Sequence, residues 1–212
     1  MGWQDGQVDL RRLLEKHRLV AIVRGRDADA ATRSVIALVE SGIALVEVSL
    51  TTADATAVIS RARAALGPEA ALGAGTVCTA DDARAAADVG ASFVVTPGYG
   101  PGVEEAARLR LPSLVGALSP TEVISAAAGG AAAVKLFPAS VGGPAYLRAL
   151  RDPFPQVPFV PVGGVDAEAA RAYLDAGAIA VGVGSPLLGD APHGGDLTAL
   201  RTRVKVFLDA IA

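Results

Sequence analysis

Residues 114–138 read LVGALSPTEVISAAAGGAAAVKLFP, and this stretch holds one complete structural unit. An apolar run from Leu114 gives way to Ser119-Pro120-Thr121-Glu122, a serine placed to cap a helix with a proline at the first helical position. The Ala-rich segment that follows stops at Gly130, a residue free to take the left-handed dihedrals that terminate a helix. A second apolar run then starts near Ala132. The order is strand, helix, strand.

The same unit recurs along the chain. Val/Ile/Ala-rich runs begin near Leu19, Leu45, Ala70, Phe93, Leu114, Ala132, Phe159 and Ala180, roughly 23 residues apart, and each precedes a segment with helical patterning. Gly42, Gly90 and Gly177 close helical stretches as Gly130 does, and Thr79 ahead of Asp81-Asp82 repeats the cap. Continuous apolar strands alternating with helices imply a parallel sheet covered on both faces. Eight units of near-equal length favour closure into a (β/α)8 TIM barrel, although 212 residues is at the short end for that fold. The competing architecture is an open doubly wound sheet. Against it, Arg24-Gly25-Arg26-Asp27 after the first strand is a poor dinucleotide loop. Leu10, Leu13, Leu14 and His17 at helical spacing predict an additional N-terminal helix over Val8 to His17, capping the closed bottom of the barrel. No linker interrupts the repeats, so residues 1–212 are read as a single barrel domain.

Composition narrows the function. Apolar residues make up 51% of the chain and charged ones 19%, which supplies a core and argues against disorder. The formal charge of −3 and the lack of any Lys/Arg-rich run exclude an electrostatic footprint for nucleic acid. Apolar runs break well short of the ~20 residues that span a bilayer, and Met1 to Gln7 is polar. The expectation is a soluble cytoplasmic protein without membrane contact. Cys78 stands alone, and with only His17 and His193 beside it there is no zinc constellation.

In a barrel the chemistry sits at the C-terminal ends of the strands. The sixth strand run, Ala133-Val134-Lys135-Leu136-Phe137, places an ammonium in an otherwise apolar element. Alternation turns Val134 and Leu136 toward the helices and Lys135 into the barrel. A structural core lysine would be paired with a carboxylate. A catalytic one would be desolvated: an ordinary lysine is neutral only about once in 2,500 at pH 7, and burial can raise that fraction enough for nucleophilic attack on a carbonyl. The second strand offers a partner in Val46-Glu47-Val48-Ser49, a carboxylate in the same inward register. Glu47 can pair with Lys135 or with Arg24, and it can also move protons. Strands seven and eight end in Val162-Gly163-Gly164-Val165 and Gly182-Val183-Gly184-Ser185. Glycines in these two loops let backbone N–H groups approach a phosphate, the usual anion of that position.

Taken in order, Val46-Glu47-Val48-Ser49-Leu50, Gly73-Ala74-Gly75-Thr76-Val77, Thr96-Pro97-Gly98, Ser119-Pro120-Thr121-Glu122, Val134-Lys135-Leu136-Phe137-Pro138-Ala139 and Val162-Gly163-Gly164-Val165 resemble the 2-keto-3-deoxy-6-phosphogluconate aldolases. The resemblance runs from about Leu19 to Leu188. It implies a class I, Schiff-base pyruvate aldolase, a homotrimer of barrels that needs no metal or other cofactor. On it, Lys135 matches the imine-forming lysine and Glu47 the acid/base. Thr76 matches a carboxylate-binding threonine, with Arg24 beside it, and Gly163, Gly164, Gly184 and Ser185 match the phosphate loops. Pro97, Phe137 and Val162 fall on the substrate pocket, Phe137 as an apolar wall or as core.

The chain also departs from the pattern. Thr51 stands where gluconate-type members carry Arg, leaving Arg24 as the cation in compensation, and Val115 stands where relatives often have Pro. Val162 replaces a Thr and is similar to the 2-keto-3-deoxy-6-phosphogalactonate branch, yet that branch usually has Pro-Leu-Asn-Ser where this chain has Ser49-Leu50-Thr51-Thr52. The implied reaction is reversible cleavage of a phosphorylated 2-keto-3-deoxy sugar acid to pyruvate and glyceraldehyde 3-phosphate. Two rivals stay open: a non-Schiff-base phosphate barrel such as an isomerase or synthase, and a non-catalytic barrel that senses a phosphorylated metabolite.

Overall fold

The computed structural model describes residues 3–4 and 7–212, with side chains from Asp9 onward. Most of the polar segment Met1 to Gln7 therefore lies outside the described residues or is described as backbone alone. Eight parallel strands form one sheet: β1 (Leu19–Val23), β2 (Leu45–Ser49), β3 (Ala71–Gly75), β4 (Phe93–Val95), β5 (Ser113–Ala117), β6 (Ala133–Leu136), β7 (Phe159–Pro161) and β8 (Val181–Val183). From β1 to β7 each strand pairs with the next, and β8 pairs with β1. The remaining seam, between β7 and β8, closes through a parallel bridge from Val162 to Gly182 and an Ile179 N–H donated to the Phe159 carbonyl at 3.0 Å. The closed (β/α)8 barrel expected from the repeat is the fold, and each strand begins within a residue of its predicted start.

Helices α1 (Leu10–His17), α2 (Ala28–Glu40), α3 (Ala55–Leu66), α4 (Ala80–Asp88), α5 (Pro101–Arg108), α6 (Pro120–Ala128), α7 (Gly143–Arg151), α8 (Ala167–Asp175), α9 (Ser185–Leu188) and α10 (Leu197–Ile211) account for the connections and the ends. Both predicted caps form. The Ser119 hydroxyl accepts from the Glu122 N–H while the Glu122 carboxylate accepts from the Ser119 N–H at 2.7 Å, and Thr79 and Asp82 repeat this capping box. Gly42, Gly90, Gly130 and Gly177 follow their helices with φ of 101°, 78°, 77° and 93°. No helix among the described residues is long and apolar enough to cross a membrane.

Two apolar layers follow from strand alternation. Val46, Val48, Val134 and Leu136 face the helices, while Val20, Leu45, Phe93, Leu114 and Val160 fill the barrel. The lower end is closed by α1, whose Leu10 and Leu14 are buried against those interior residues. Burial of each leucine is worth roughly 1.5–3 kcal/mol. This helix starts at Leu10 rather than at Val8 as the spacing suggested. The Asp9 side chain accepts from the Arg12 N–H at 3.0 Å, which makes Asp9 the cap and leaves Val8 outside, paired with Trp3 in a two-residue antiparallel ladder.

Candidate active site

At the upper end the strands open into a cleft of about 730 Å³. All eleven residues singled out in the sequence line it: Arg24, Glu47, Thr76, Pro97, Lys135, Phe137, Val162, Gly163, Gly164, Gly184 and Ser185. They come from seven of the eight strand ends, so closure of the barrel is what assembles them.

Lys135 is the inward residue of β6, 7% exposed, with its Nζ 5.0 Å from the centroid of the Phe137 ring. Phe137 is itself 39% exposed, so it is a wall of the cleft rather than core. Glu47 faces in from β2 and is buried. Its Oε2 has no hydrogen-bond partner, and no ion pair within 4.0 Å joins it to Lys135 or Arg24 among the described residues. Burial pushes the Glu47 carboxyl up from its ordinary value, and the charges of Lys135 and then Arg24 pull it down without cancelling that rise. The structural ion pair considered for Glu47 is therefore absent as a contact, while the electrostatic influence of both cations remains.

The Gly-Ala-Gly-Thr motif has a steric explanation. A Cβ on Gly75 would sit 2.6 Å from Glu47 Oε1 and 2.9 Å from its Cδ, so only glycine leaves the carboxyl its place. Gly73 likewise makes room for the Phe93 ring. Thr76 adopts a left-handed φ of 62°, a strained conformation for a β-branched residue that costs of order 1–3 kcal/mol. Its hydroxyl lies 2.9 Å from that of the buried Ser49, which in turn lies 2.8 Å from the hydroxyl of Thr51. Three hydroxyls thus form a chain whose ends, Thr76 and Thr51, both line the cleft.

On the far side, Gly163 and Gly164 take φ of 98° and 75° in succession. With no side chain in the way, backbone here can approach a phosphate closely, in the loop where this fold commonly binds one. The Gly164 N–H has no acceptor within the chain among the described residues. Ser185 opens the short helix α9 beside them, and Arg203 of α10 anchors the far end of that helix by donating to the Leu187 and Leu188 carbonyls at 2.7 and 2.8 Å.

Sequence reading missed three contributors. Thr51 was treated only as the loss of an arginine, but it belongs to the hydroxyl chain. Arg26 lines the cleft as well, so Arg24 is not its lone arginine. His193, weighed only as a zinc ligand, reaches the same cleft from beyond α9. No local pattern signals that position, because it depends on β8 closing against β1.

The family described as KDPG and KHG aldolase matches residues 10–200 of the chain. A probable 2-dehydro-3-deoxy-6-phosphogalactonate aldolase of Rhizobium meliloti is 33% identical over 195 residues, covering 91% of this chain and 92% of the relative. A 2-dehydro-3-deoxy-phosphogluconate aldolase of Pseudomonas aeruginosa is 39% identical over 165 residues, covering 76% of this chain and 73% of its own. Among solved structures, a native KDPGal structure superposes with a TM-score of 0.86 at 30% identity, over 99% of this chain and 97% of the other. Because the family match takes in every barrel strand and the whole cleft, the chain belongs to the KDPG and KHG aldolase family.

Proposed function

We propose that this aldolase, a carbon–carbon lyase, works through a Schiff base on Lys135 and reversibly cleaves a 2-keto-3-deoxy-6-phospho sugar acid to pyruvate and glyceraldehyde 3-phosphate. The observation that carries the reading is a buried amine and a buried carboxyl facing one cleft from an otherwise apolar barrel. Neutral Lys135 attacks the keto carbon, and loss of water gives a protonated imine. Glu47, its proton affinity raised by burial, serves both halves of that exchange. It then removes the proton of the hydroxyl whose carbon becomes the aldehyde, the carbon–carbon electron pair passes into the imine as an enamine, and protonation and hydrolysis release pyruvate and the free lysine. Thr76, backed by Ser49, and Arg24 hold the pyruvyl carboxylate. Phe137 forms the apolar wall beside the imine, Pro97 and Val162 bound the sugar chain, and Gly163, Gly164, Gly184 and Ser185 cup the phosphate.

Incubation with pyruvate and borohydride tests the central step. A stable mass gain located on Lys135 is expected, and a folded protein that gains no adduct overturns the Schiff-base reading. The phosphate assignment is tested separately by Ser185→Asp. A carboxylate against the phosphate should lower kcat/KM for the phosphorylated substrate on the order of a hundredfold, and should affect 4-hydroxy-2-oxoglutarate far less because it carries no phosphate. Equal losses on both would make the β8 loop scaffold.

A single barrel of residues 1–212, a cytoplasmic location and a homotrimeric assembly complete the proposal.

A further inference from the structure

The cleft carries a pair of polar groups that the reaction scheme leaves unused. The turn Ala191–His193, after α9, packs against the loop between β1 and α2. The approach is so close that any Cβ on Gly25 would collide with the Pro192 carbonyl. There the Arg26 N–H donates to His193 Nδ1 at 3.2 Å. A neutral imidazole that accepts at Nδ1 carries its proton on Nε2, so the ring offers a donor on its other edge. Both residues line the cleft, and no carboxylate pairs with the Arg26 guanidinium among the described residues.

Their place in the barrel decides what they face. Arg24 follows β1 directly, and Arg26 stands two residues further along the loop that leaves the strand. Around the barrel, β1 is the next strand after β8, so Arg26 and His193 flank the Gly184–Ser185 loop on the side opposite Gly163 and Gly164.

We propose that Arg26 and His193 are specificity-determining residues that complete the cup for the distal phosphate, a guanidinium and an imidazole Nε2–H closing over a phosphomonoester already held by backbone N–H groups. This rests on the phosphate reading above. It also explains why the histidine is held through Nδ1: the tether aims the opposite edge.

Kinetics of His193→Asn, His193→Ala and Arg26→Gln on a 2-keto-3-deoxy-6-phospho sugar acid and on its unphosphorylated analogue test the proposal. Asparagine keeps an oxygen to accept the Arg26 N–H but loses the Nε2 donor. Each variant should lose about tenfold or more in kcat/KM on the phosphorylated substrate, as one charge-assisted hydrogen bond allows. Each should retain most of its turnover of the analogue, which lacks the group they hold. His193→Asn with full activity on the phosphorylated substrate would reduce the histidine to a tether for the β1 loop and overturn the proposal, as would equal losses on both substrates. Ser185→Asp run alongside separates the two ideas. If it discriminates while the other variants do not, the cup stands without this rim; if none discriminates, the phosphate reading falls too.

Discussion

Lys135→Arg should abolish carbon–carbon cleavage while leaving the barrel folded. Arginine keeps the positive charge and about the same reach, and it packs on an aromatic ring as the ammonium now does on Phe137 at 5.0 Å. What it lacks is an amine that can lose its proton, since a guanidinium stays charged above pH 12. Without that lone pair no bond forms to the keto carbon, no imine forms, and the electrons of the breaking carbon–carbon bond have no sink. Removing a covalent nucleophile from a unit that works as a whole lowers turnover on the order of 10³- to 10⁶-fold. The outward neighbours Val134 and Leu136 carry the packing of β6 against the helices and are untouched, so circular dichroism and melting temperature should stay close to the parent. Borohydride trapping with pyruvate should disappear in parallel. A folded variant that still turns over near the parental rate would remove Lys135 from the nucleophile role, and with it the Schiff-base mechanism.

The barrel was legible because its signals are local. Each apolar run, each cap such as Ser119 and each terminating glycine such as Gly130 acts within a few residues, and eight repetitions leave few ways to close a sheet. Lys135 and Glu47 were legible for a related reason: a charge in the middle of an apolar strand violates the pattern, and such violations gather at functional sites. The rest depends on contacts that no window of sequence contains. Arg26 and His193 are 167 residues apart and meet only because β8 pairs with β1. The hydroxyl chain from Thr51 through Ser49 to Thr76 needs β2 beside β3 in one register, with Glu47 opposite Gly73 and Ser49 opposite Gly75. The start of α1 went astray by two residues because a side-chain cap at Asp9 outweighed the apolar spacing that seemed to include Val8.

Glu47→Gln separates catalysis from structure at the other half of the site. Glutamine keeps the shape that Gly75 accommodates but has no proton to exchange, so kcat should fall by ~10²- to 10⁴-fold with KM little changed. Stability should move in a direction that a structural ion pair would not produce. Burial is the largest influence on Glu47 and raises its proton affinity in the folded chain. The folded state therefore binds the proton more tightly than the unfolded one. This contribution to stability is fully present below the unfolded value, near 4.5, and is lost as the pH rises through the folded value. The loss approaches about 1.4 kcal/mol for each pH unit between the two. Glutamine carries no such dependence, so the melting temperature of the variant relative to the parent should climb as the pH goes from 4 to 8. Were Glu47 chiefly the structural partner of Lys135, removing its charge at neutral pH would strand a buried ammonium, and the variant would melt lower than the parent there. Melting curves across that range, read beside the kinetics, distinguish the two. A falling difference with intact kcat would make Glu47 a structural carboxylate and require another group to move the protons.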